Sequence, residues 1–366
     1  MKILHIIPEF RKGGAERLAY DICYYLNQIP EIDVKLITFK ENPLNKLCKD
    51  SFYKHIPSFY QPSITSRSKK SIEKLQQFIN SFNPDVVHSH LWETEMLLSK
   101  LKLINAKRIV HFHSNVKQLK KIKIPIKKKD ITNLYEKKIF VKSELDYILT
   151  ISKDNLEYAK KVLPNSLRKK IIKLPNAINF NKFFSVKEKK HSELNLINVG
   201  SFKDVKNQSF ALEVVKELAI MNYKVTIAFL GDGPYLKKCR ELAIKLSIAE
   251  NVSFLGNISN VKKYYEKANV YLHTAKHEGF GLVLLEAMAT RLPVVSLDSK
   301  GNRDFIEHNK NGFIFKTQNA KIFANQILKL VKNKRLYNEI AINGQKTARN
   351  YDIKNYIENL LKIYKN

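Results

Sequence analysis

The chain has 366 residues, of which 44% are hydrophobic, and this predicts two domains with their own cores and excludes disorder for most of the length. Its 65 basic residues exceed its 34 acidic ones, and the formal net charge of +31 favours contact with polyanions such as nucleic acid, anionic lipid or phosphorylated substrates. The three cysteines form no C-x-x-C pair and no apolar run reaches the roughly 20 residues of a membrane span, so we expect a cytoplasmic protein without a disulfide framework.

Short apolar strands alternate with helix-length segments in the first half of the chain. After the first strand, for example, Leu18, Ile22, Leu26 and Ile29 recur at helical spacing. Strands separated by helices form parallel sheets that helices cover on both faces, so this half predicts a doubly wound, Rossmann-like α/β domain over residues 1–178. The predicted strands are 3–7, 34–39, 86–87, 109–112, 147–151 and 171–174.

The same pattern restarts after a polar, lysine-rich segment at 179–192, which we predict to be a linker. A second doubly wound domain is expected over 193–349, facing the first across a cleft, with ligands at the carboxyl ends of the strands. A C-terminal helix over 350–366 could pack back on the N-terminal domain. The predicted strands are 194–199, 225–230, 252–255, 270–273, 293–297 and 313–315.

Two glycine-containing turns between a strand and a helix are candidate phosphate sites. Gly13-Gly14 follows the first strand, and Gly200 opens a loop that carries Lys203 and Lys206. Backbone N–H groups in such turns can bind a phosphate at a helix N-terminus, and a lysine at the strand end can reach a pyrophosphate. Neither turn matches G-x-G-x-x-G or a P-loop, and both are also typical of a capped turn or a solvated loop.

The most informative segment is 277–289, HEGFGLVLLEAMA. Glu278 and Glu286 lie eight residues apart, roughly two helical turns, and the glycines at 279 and 281 can place N–H groups against an anion. Glu286 falls in an otherwise apolar helix, where a lone buried carboxylate is costly. Sugar or ribose hydroxyl groups would be suitable partners, and a basic residue of the chain is the alternative.

At this segment the chain resembles family 4 of the retaining glycosyltransferases, the group 1 glycosyl transferases, which have the two-domain GT-B fold. The two glutamates match the E-x7-E signature of that family, and Glu278-Gly279-Phe280-Gly281 matches its E-G-F-G core. Further matches stand in the expected order along nearly the whole chain. They are Gly13-Gly14-Ala15-Glu16, His113, Pro175-Asn176 and Lys206-Asn207.

The resemblance implies three catalytic residues. Lys206 would neutralise the β-phosphate of the leaving nucleotide, His113 would contact the transferred sugar, and Glu278 would bind sugar hydroxyls together with backbone amides. It also implies that the amide of Gly14 faces the donor pyrophosphate and that Glu286 binds the ribose. The implied donor-binding residues are Gly14, Lys203, Lys206, Phe280, Gly281, Leu282 and Glu286.

Two positions depart from the pattern of the family. An arginine commonly follows the glycine at Gly200, but this chain has Ser201, and Lys203 could replace it only as a point charge without the planar fork of arginine. The Asn-Gly that often follows the last strand of the first domain is Asn176-Ala177, which affects the acceptor side.

The chemistry predicts neither a cofactor nor a metal, since the nucleotide-sugar is a substrate. A departing nucleoside diphosphate must be neutralised by a metal or by fixed cations and amides. The metal route needs clustered carboxylates, and no two aspartates of the chain are two residues apart. The histidines at 88, 90, 111 and 113 would share one face of two strands, which favours a polar lining of the cleft, with a zinc site as the alternative.

The segment 117–142 contains ten lysines against Asp130 and Glu136, with interleaved isoleucines. A basic, amphipathic stretch favours the surface of an anionic membrane, although a solvated loop has the same composition. It lacks the arginines and stacking aromatics typical of a nucleic-acid site.

These features predict a hexosyltransferase-type enzyme that moves a sugar from a nucleotide-sugar, expected to be a UDP-sugar, to a lipid-linked or saccharide acceptor. Assembly of a surface polysaccharide (capsule, exopolysaccharide or lipopolysaccharide) at the inner face of the membrane is the expected setting. Two alternatives remain. A Rossmann oxidoreductase would need G-x-G-x-x-G in the first turn, and a basic nucleic-acid-binding protein would bind oligonucleotides with a steep salt dependence.

Overall fold

The computed structural model describes residues 1–11, 13–42, 44–45, 48–58, 66–103, 105–115, 119, 128–186 and 193–366. They form two compact units, one comprising Met1–Ala177 with Ile353–Asn366 and the other Ile178–Asp352. The chain thus leaves the first unit after Ala177 and returns to it at Ile353. Within the described ranges, no helix has both the length and the apolar character that a membrane span requires.

A seven-stranded parallel sheet forms the core of the N-terminal unit, with the order β3-β2-β1-β4-β5-β6-β7. The doubly wound prediction is confirmed. Sequence analysis missed one strand, β3, because an edge strand of three residues is too short to show a period of two. The strands are β1 (Lys2–Ile7), β2 (Asp33–Thr38), β3 (Tyr53–His55), β4 (Val86–His90), β5 (Lys107–Phe112), β6 (Tyr147–Thr150) and β7 (Ile171–Lys173).

Helices of this unit connect the strands, and the last one returns from the end of the chain. In α14 (Ile353–Lys365) the buried residues Tyr356, Ile357, Leu360 and Tyr364 recur at helical spacing, and this apolar face joins the core that α1 contributes to. The other helices are α1 (Gly14–Leu26), α2 (Ser66–Phe82), α3 (Trp92–Leu98), α4 (Lys128–Lys142), α5 (Lys153–Val162) and α6 (Asn165–Arg168).

The C-terminal unit has a six-stranded parallel sheet with the order β10-β9-β8-β11-β12-β13. All six strands predicted for this half are present, and the four inner strands, β8, β9, β11 and β12, are mostly buried, which explains their nearly continuous apolar runs. They are β8 (Leu194–Val199), β9 (Val225–Leu230), β10 (Val252–Phe254), β11 (Val270–His273), β12 (Val294–Leu297) and β13 (Phe313–Phe315).

The segment 179–192 was predicted to be an aperiodic linker, but its first residues form a short helix. Asn179 accepts a hydrogen bond from the Lys182 N–H at 3.0 Å and caps the short helix α7 (Phe180–Phe183). Phe180 and Phe183 are buried within the C-terminal unit, so this part belongs to its core, while 187–192 lie outside the described residues. The remaining helices are α8 (Gln208–Ile220), α9 (Leu236–Lys245), α10 (Lys262–Lys267), α11 (Leu282–Ala289), α12 (Ala320–Lys332) and α13 (Lys334–Asn350).

Candidate functional site

In the C-terminal unit, the strand order reverses between β8 and β11, which are neighbours in the sheet. Connections from two such strands diverge to opposite faces, so their carboxyl ends border the crevice where α/β proteins bind ligands. Lys206 ends a short 3-10 turn, Asp204–Lys206, that follows β8. His273 is the last residue of β11, and Glu278 follows a few residues later. The fold therefore brings residues that are about 70 positions apart to one edge of the sheet.

Lys206, Glu278 and His273 form one electrostatic group. The Lys206 ammonium donates a hydrogen bond to Oε1 of Glu278, and Nε2 of His273 lies 3.6 Å from the same oxygen. Burial alone would raise the pKa of Glu278, but Lys206 and His273 together lower it below its ordinary value. Burial lowers the pKa of His273 to about 4. At neutral pH the group is therefore an ammonium–carboxylate pair beside a neutral imidazole.

Hydrogen bonds to backbone carbonyls connect the loop that carries Lys206 with the loop that carries Glu278. The Lys276 N–H donates to the Val205 carbonyl at 2.9 Å, and the Thr274 hydroxyl donates to the Lys206 carbonyl at 3.2 Å. On the other side, the Glu278 N–H donates to the Ser299 carbonyl at 2.9 Å. The carboxylate is thus fixed by the protein before any ligand binds.

The loop from Glu278 to Gly281 leads into α11. Gly281 has a φ of +103°, which a side chain would strain, and an added Cβ would lie 3.1 Å from Leu284 Cδ1. The ring of Phe280 is buried against Phe305 and Tyr351, with centroids at 5.3 and 5.6 Å, and anchors the loop. The N–H groups of Phe280 and Gly281 donate to no other residue that the structure describes. Oxygen atoms of a ligand are therefore candidate acceptors for these two N–H groups.

Two of the three remaining predicted donor residues of this unit lie in α11, which begins at the end of that loop. Leu282 is the first residue of α11, and Glu286, one turn further, accepts a hydrogen bond from the Tyr265 hydroxyl at 3.1 Å. The hydroxyl group of Tyr265 is therefore a partner of Glu286, for which we expected a hydroxyl group of a ligand or a basic residue of the chain. Lys203 precedes the 3-10 turn with an exposed side chain, and no hydrogen bond or ion pair within the described residues joins it to Lys206 or Glu278.

In the N-terminal unit, Gly14 begins α1 directly after the turn that follows β1. Gly13 is the N-cap residue, and its carbonyl accepts a hydrogen bond from the Arg17 N–H at 3.1 Å. The first N–H groups of a helix have no partner within it, and the dipole favours anions there, so the position of Gly14 suits a phosphate. The sequence prediction for this residue remains a prediction.

Five histidines gather on one face of the sheet in this unit. In the parallel register His5 is paired with His88 and His90 with His111, and residues two apart on one strand share a face. All are fully buried except His113, which follows the end of β5 and is partly exposed. The cluster consists of His5, His88, His90, His111 and His113.

Hydrogen bonds join four of these rings and one tyrosine into a chain. Nε2 of His113 lies 2.9 Å from Nδ1 of His90, and Nε2 of His90 lies 2.9 Å from Nδ1 of His5. Nε2 of His5 is 3.1 Å from the hydroxyl of Tyr364, which is 2.6 Å from Nδ1 of His88. We call these five residues the histidine chain.

The cluster of five histidines contains two triplets whose ring nitrogens could bind one metal ion, because the ligand atoms of each triplet lie within 4.8 Å of one another. The triplets are His5, His88 and His90, and His90, His111 and His113. Neither triplet includes a carboxylate or a thiol. Both ring nitrogens of His90 already face neighbouring imidazoles at hydrogen-bond distance. A divalent cation would be buried there without a counter-charge, which is costly.

Three residues of the two sites described above were not recognised in the sequence, namely His5, Tyr364 and His273. His5 lay in an apolar strand, and only the neighbouring positions of β1 and β4 in the sheet bring it to His88. Tyr364 is 276 residues from His88 in the chain. His273 had a usable signal, because it ends a buried strand shortly before the E-G-F-G segment.

The basic segment 117–142 is described only at Leu119 and from Lys128 onwards, where α4 begins. Lys120, Lys121 and Lys127 lie outside the described residues. The expected membrane contact of this segment stays a prediction.

Comparison with known proteins identifies relatives along the whole chain. The family model of the group 1 glycosyl transferases matches residues 179–347, and that of glycosyltransferase family 4 matches residues 12–182. The capsular polysaccharide biosynthesis glycosyltransferase CapH of Staphylococcus aureus is 27% identical and covers 100% of this chain and 98% of CapH. An uncharacterized glycosyltransferase of Haemophilus influenzae is 29% identical over 164 residues, 44% of this chain. That match spans 46% of the Haemophilus protein, which is less than half of its length.

Solved structures share the fold at low sequence identity. Anabaena Alr3699/HepE, solved in complex with UDP, has a TM-score of 0.81 at 18% identity and covers 99% of both chains. WaaG, a glycosyltransferase involved in lipopolysaccharide biosynthesis, has a TM-score of 0.76 at 16% identity and also covers 99% of both chains. With two doubly wound units, GT-B neighbours and family matches to both halves, the chain belongs to glycosyltransferase family 4, the group 1 glycosyl transferases, and is a glycosyltransferase.

Proposed function

We propose that this enzyme transfers a sugar from a UDP-sugar, with retention of configuration, to a lipid-linked or saccharide acceptor in the assembly of a surface polysaccharide. The donor is supported by the HepE neighbours, which were solved with UDP and with UDP-glucose. The pathway is supported by CapH, whose name assigns it to capsular polysaccharide biosynthesis and which matches this chain over its full length.

The observation that carries the proposal is the Lys206–Glu278 pair beside the N–H groups of Phe280 and Gly281. Departure of a nucleoside diphosphate places negative charge on the β-phosphate, and a fixed ammonium with two N–H donors stabilises that charge in the transition state. Glu278 is ionised and can accept hydrogen bonds from sugar hydroxyls. Its neutral neighbour His273 leaves the negative charge of Glu278 available to Lys206 and the sugar.

The role proposed for Lys206 makes a metal unnecessary. A lysine and two backbone N–H groups supply in the protein what a divalent ion supplies in metal-dependent sugar transfer. We therefore propose a metal-independent reaction with the nucleotide-sugar as substrate and without a cofactor. His113, at the carboxyl end of β5, is the residue proposed to contact the transferred sugar.

A lipid-linked acceptor lies at a membrane surface, and we propose that the enzyme meets it by adsorption. The net charge of +31 and the lysines of 117–142 favour an anionic surface. We propose that the reaction takes place at the inner face of the membrane.

A panel of nucleotide-sugars tests the proposal. We expect hydrolysis of a UDP-sugar in the absence of acceptor, at the same rate with an excess of chelator, and an α-linked sugar from an α-linked donor by NMR. Preference for a GDP- or ADP-sugar would contradict the donor assignment, and dependence on Mg²⁺ or Mn²⁺ would contradict the role of Lys206. Inversion of the anomeric centre would contradict the retaining mechanism.

A further inference from the structure

A short loop after β12 lies directly against Glu278. We call residues 298–302 the support loop. The Glu278 N–H donates a hydrogen bond to the Ser299 carbonyl at 2.9 Å, and Glu278 and Lys300 form an isolated parallel β-bridge. Lys206 contacts the carboxylate of Glu278, whereas the support loop contacts its backbone. The position of Glu278 therefore depends on the backbone of the support loop.

The support loop is built around a strained turn. Lys300 has a φ of +72° and a ψ of −63°, and the Gly301 N–H donates to the Ser299 carbonyl at 3.0 Å. These values define the rare γ-turn with a positive φ, which an L-residue adopts at a cost in energy. The Ser299 carbonyl accepts from Gly301 within the turn and from Glu278 outside it. Strained backbone persists only where its surroundings determine it, and it is concentrated at functional sites.

At Gly301 the support loop packs backbone against backbone with the Glu278 loop. A Cβ added to Gly301 would lie 2.5 Å from the carbonyl oxygen of Gly279 and 2.7 Å from that of Glu278, closer than a carbon atom can approach an oxygen. Only glycine therefore fits at this position. Because the contact is direct, a shift of Gly301 would move the backbone of Glu278 and Gly279.

The side chain of Asn302 connects the support loop to the end of β12. Its Oδ1 accepts from the Ser299 N–H at 3.0 Å. Its Nδ2 donates to Oγ of Ser296 at 2.7 Å and to the Leu297 carbonyl at 2.9 Å, and these are the last two residues of β12. Asn302 is fully buried, so water cannot replace these bonds when the amide is removed. Asn302 therefore fixes the strained turn relative to a strand of the core.

Asn302 also lies next to the E-G-F-G loop. A Cβ added to Gly281 would lie 4.0 Å from the Cβ of Asn302. The Asn302 carbonyl accepts from the Ile306 N–H at 3.0 Å, and Phe305, the residue before Ile306, packs its ring against that of Phe280 at 5.3 Å. Phe280 and Gly281, whose N–H groups face the donor in the proposed function, therefore pack on the segment that Asn302 fixes.

We propose that Asn302 is a positioning residue for the donor site. Through the strained turn, it holds the backbone of Glu278 and the N–H groups of Phe280 and Gly281 in the geometry that the donor requires. It acts only through these groups, since its own side chain is fully buried. The proposal rests on the proposed function for the role of the groups that are held. It adds that a residue outside the E-x7-E segment sets their geometry.

Amide hydrogen exchange, followed residue by residue by NMR, tests the contacts without a donor. In the parent protein we expect the N–H groups of Ser299 and Glu278 to exchange as slowly as those of β12. Asn302→Ala removes the acceptor of the Ser299 N–H, so exchange at Ser299 and Glu278 should become ~10-fold faster or more, while exchange in β8 stays at the parent rate. Fast exchange of either group in the parent, or unchanged exchange in the variant, would overturn the proposal.

Turnover tests the consequence for the reaction. A misplacement of ~1 Å at a reacting centre costs ~10²-fold in rate, so we expect Asn302→Ala to lower kcat with UDP-glucose or UDP-N-acetylglucosamine by ~10-fold or more. Because the held groups act on the departing phosphate, the KM for the donor should change less than kcat. A folded Asn302→Ala variant with the parent kcat would contradict the proposal.

Asn269→Ala is the matched control. Asn269 is equally buried and its Oδ1 accepts from the Asn195 N–H at 2.7 Å, but it precedes β11 at the opposite edge of the same sheet. This variant should lose stability in urea unfolding and keep both the parent kcat and the slow exchange of Glu278. If the two variants lose stability and kcat equally, Asn302 is merely structural and the proposal fails.

Two further outcomes separate this proposal from the proposed function and from a folding defect. If the parent hydrolyses no nucleotide-sugar, the proposed function fails, while amide exchange in the parent and in Asn302→Ala still decides whether Asn302 holds Glu278. If Asn302→Ala does not fold, the exchange rates of Ser299 and Glu278 in the parent decide whether these contacts persist in solution.

Discussion

At the scale of single residues, the charge state of Glu278 controls the candidate donor site. Its carboxylate is mostly buried, yet it stays ionised because the Lys206 ammonium donates a hydrogen bond to it. Removing one member of a buried pair leaves the other without compensation, so either substitution should affect the whole group.

We expect Glu278→Gln and Lys206→Ala each to lower turnover by ~10² or more at saturating donor, since the proposed role of both groups is to act on charge or hydroxyls at the reacting centre. Rates of sugar release, measured together with circular dichroism, check this. Lys224→Ala is the matched control, because Lys224 is an exposed lysine paired with Glu193 in the same unit. Near-parent rates in both site variants would remove this site from the mechanism.

At the scale of elements, the start of α11 depends on the backbone of Gly281. Any L-residue at its φ of +103° is strained, and the Cβ also meets Leu284. We expect Gly281→Ala to lower the free energy of unfolding by about 1–3 kcal/mol and to lower turnover by moving the free N–H groups of the loop. Urea unfolding and donor hydrolysis measure the two effects.

Gly256→Ala separates the two effects. Gly256 has a φ of +69° with no atom within 4 Å of its added Cβ, and it lies in the loop after β10. We expect it to lose stability without losing activity. Equal turnover in the two variants would show that the loop geometry at Gly281 does not matter for the reaction.

The strands β1, β4 and β5 make the stability of the N-terminal unit sensitive to acid. Their histidines have folded-state pKa values far below the unfolded value of about 6.5, so the unfolded chain binds more protons below that pH. These histidines therefore contribute to the free energy of unfolding at neutral pH. This contribution falls by about 1 kcal/mol per pH unit for each histidine as the pH drops below about 6.5.

Fluorescence of Trp92 can follow this effect, because it is the single tryptophan and is buried in the N-terminal unit. We expect the urea midpoint of its transition to be clearly lower at pH 5.5 than at pH 7.5. His111→Gln should reduce the difference, and His308→Gln, in the other unit, should leave it unchanged. Equal midpoints at the two pH values would contradict the neutral, buried state of these histidines.

At the scale of the whole molecule, the net charge of +31 predicts binding to anionic membranes. Each lysine near an anionic bilayer contributes ~1 kcal/mol, and salt screens this over ~10 Å. We expect the protein to sediment with anionic but not neutral vesicles at low salt, and raised salt should release it.

Changing five lysines of the basic segment to glutamine should reduce vesicle binding and spare activity on a short soluble acceptor. These are Lys120, Lys121, Lys127, Lys128 and Lys129. A charge-matched control changes five exposed lysines of the C-terminal unit, namely Lys237, Lys245, Lys321, Lys329 and Lys334. If the two quintuple variants bind vesicles equally, only the total charge matters and the segment is a solvated face.

The sequence by itself determined the features that depend on short-range pattern. The four inner strands of the C-terminal unit, β8, β9, β11 and β12, are mostly buried apolar runs of four to six residues, and their pattern is visible in the sequence because parallel strands are covered on both faces. The E-G-F-G segment and Lys206 were recognised by their resemblance to short motifs of the family, whose residues are neighbours in the sequence.

Only the tertiary structure decided which of these strand ends meet. The pairing of β1 with β4 brings His5 to His88 and His90, and the return of α14 to the N-terminal unit brings Tyr364 to His5 and His88. Strand order and the docking of a distant helix follow from packing of buried faces over the whole unit, and no local spacing encodes them. For that reason four histidines were recognised as sharing a face, while the hydrogen-bonded chain through Tyr364 emerged only from the fold.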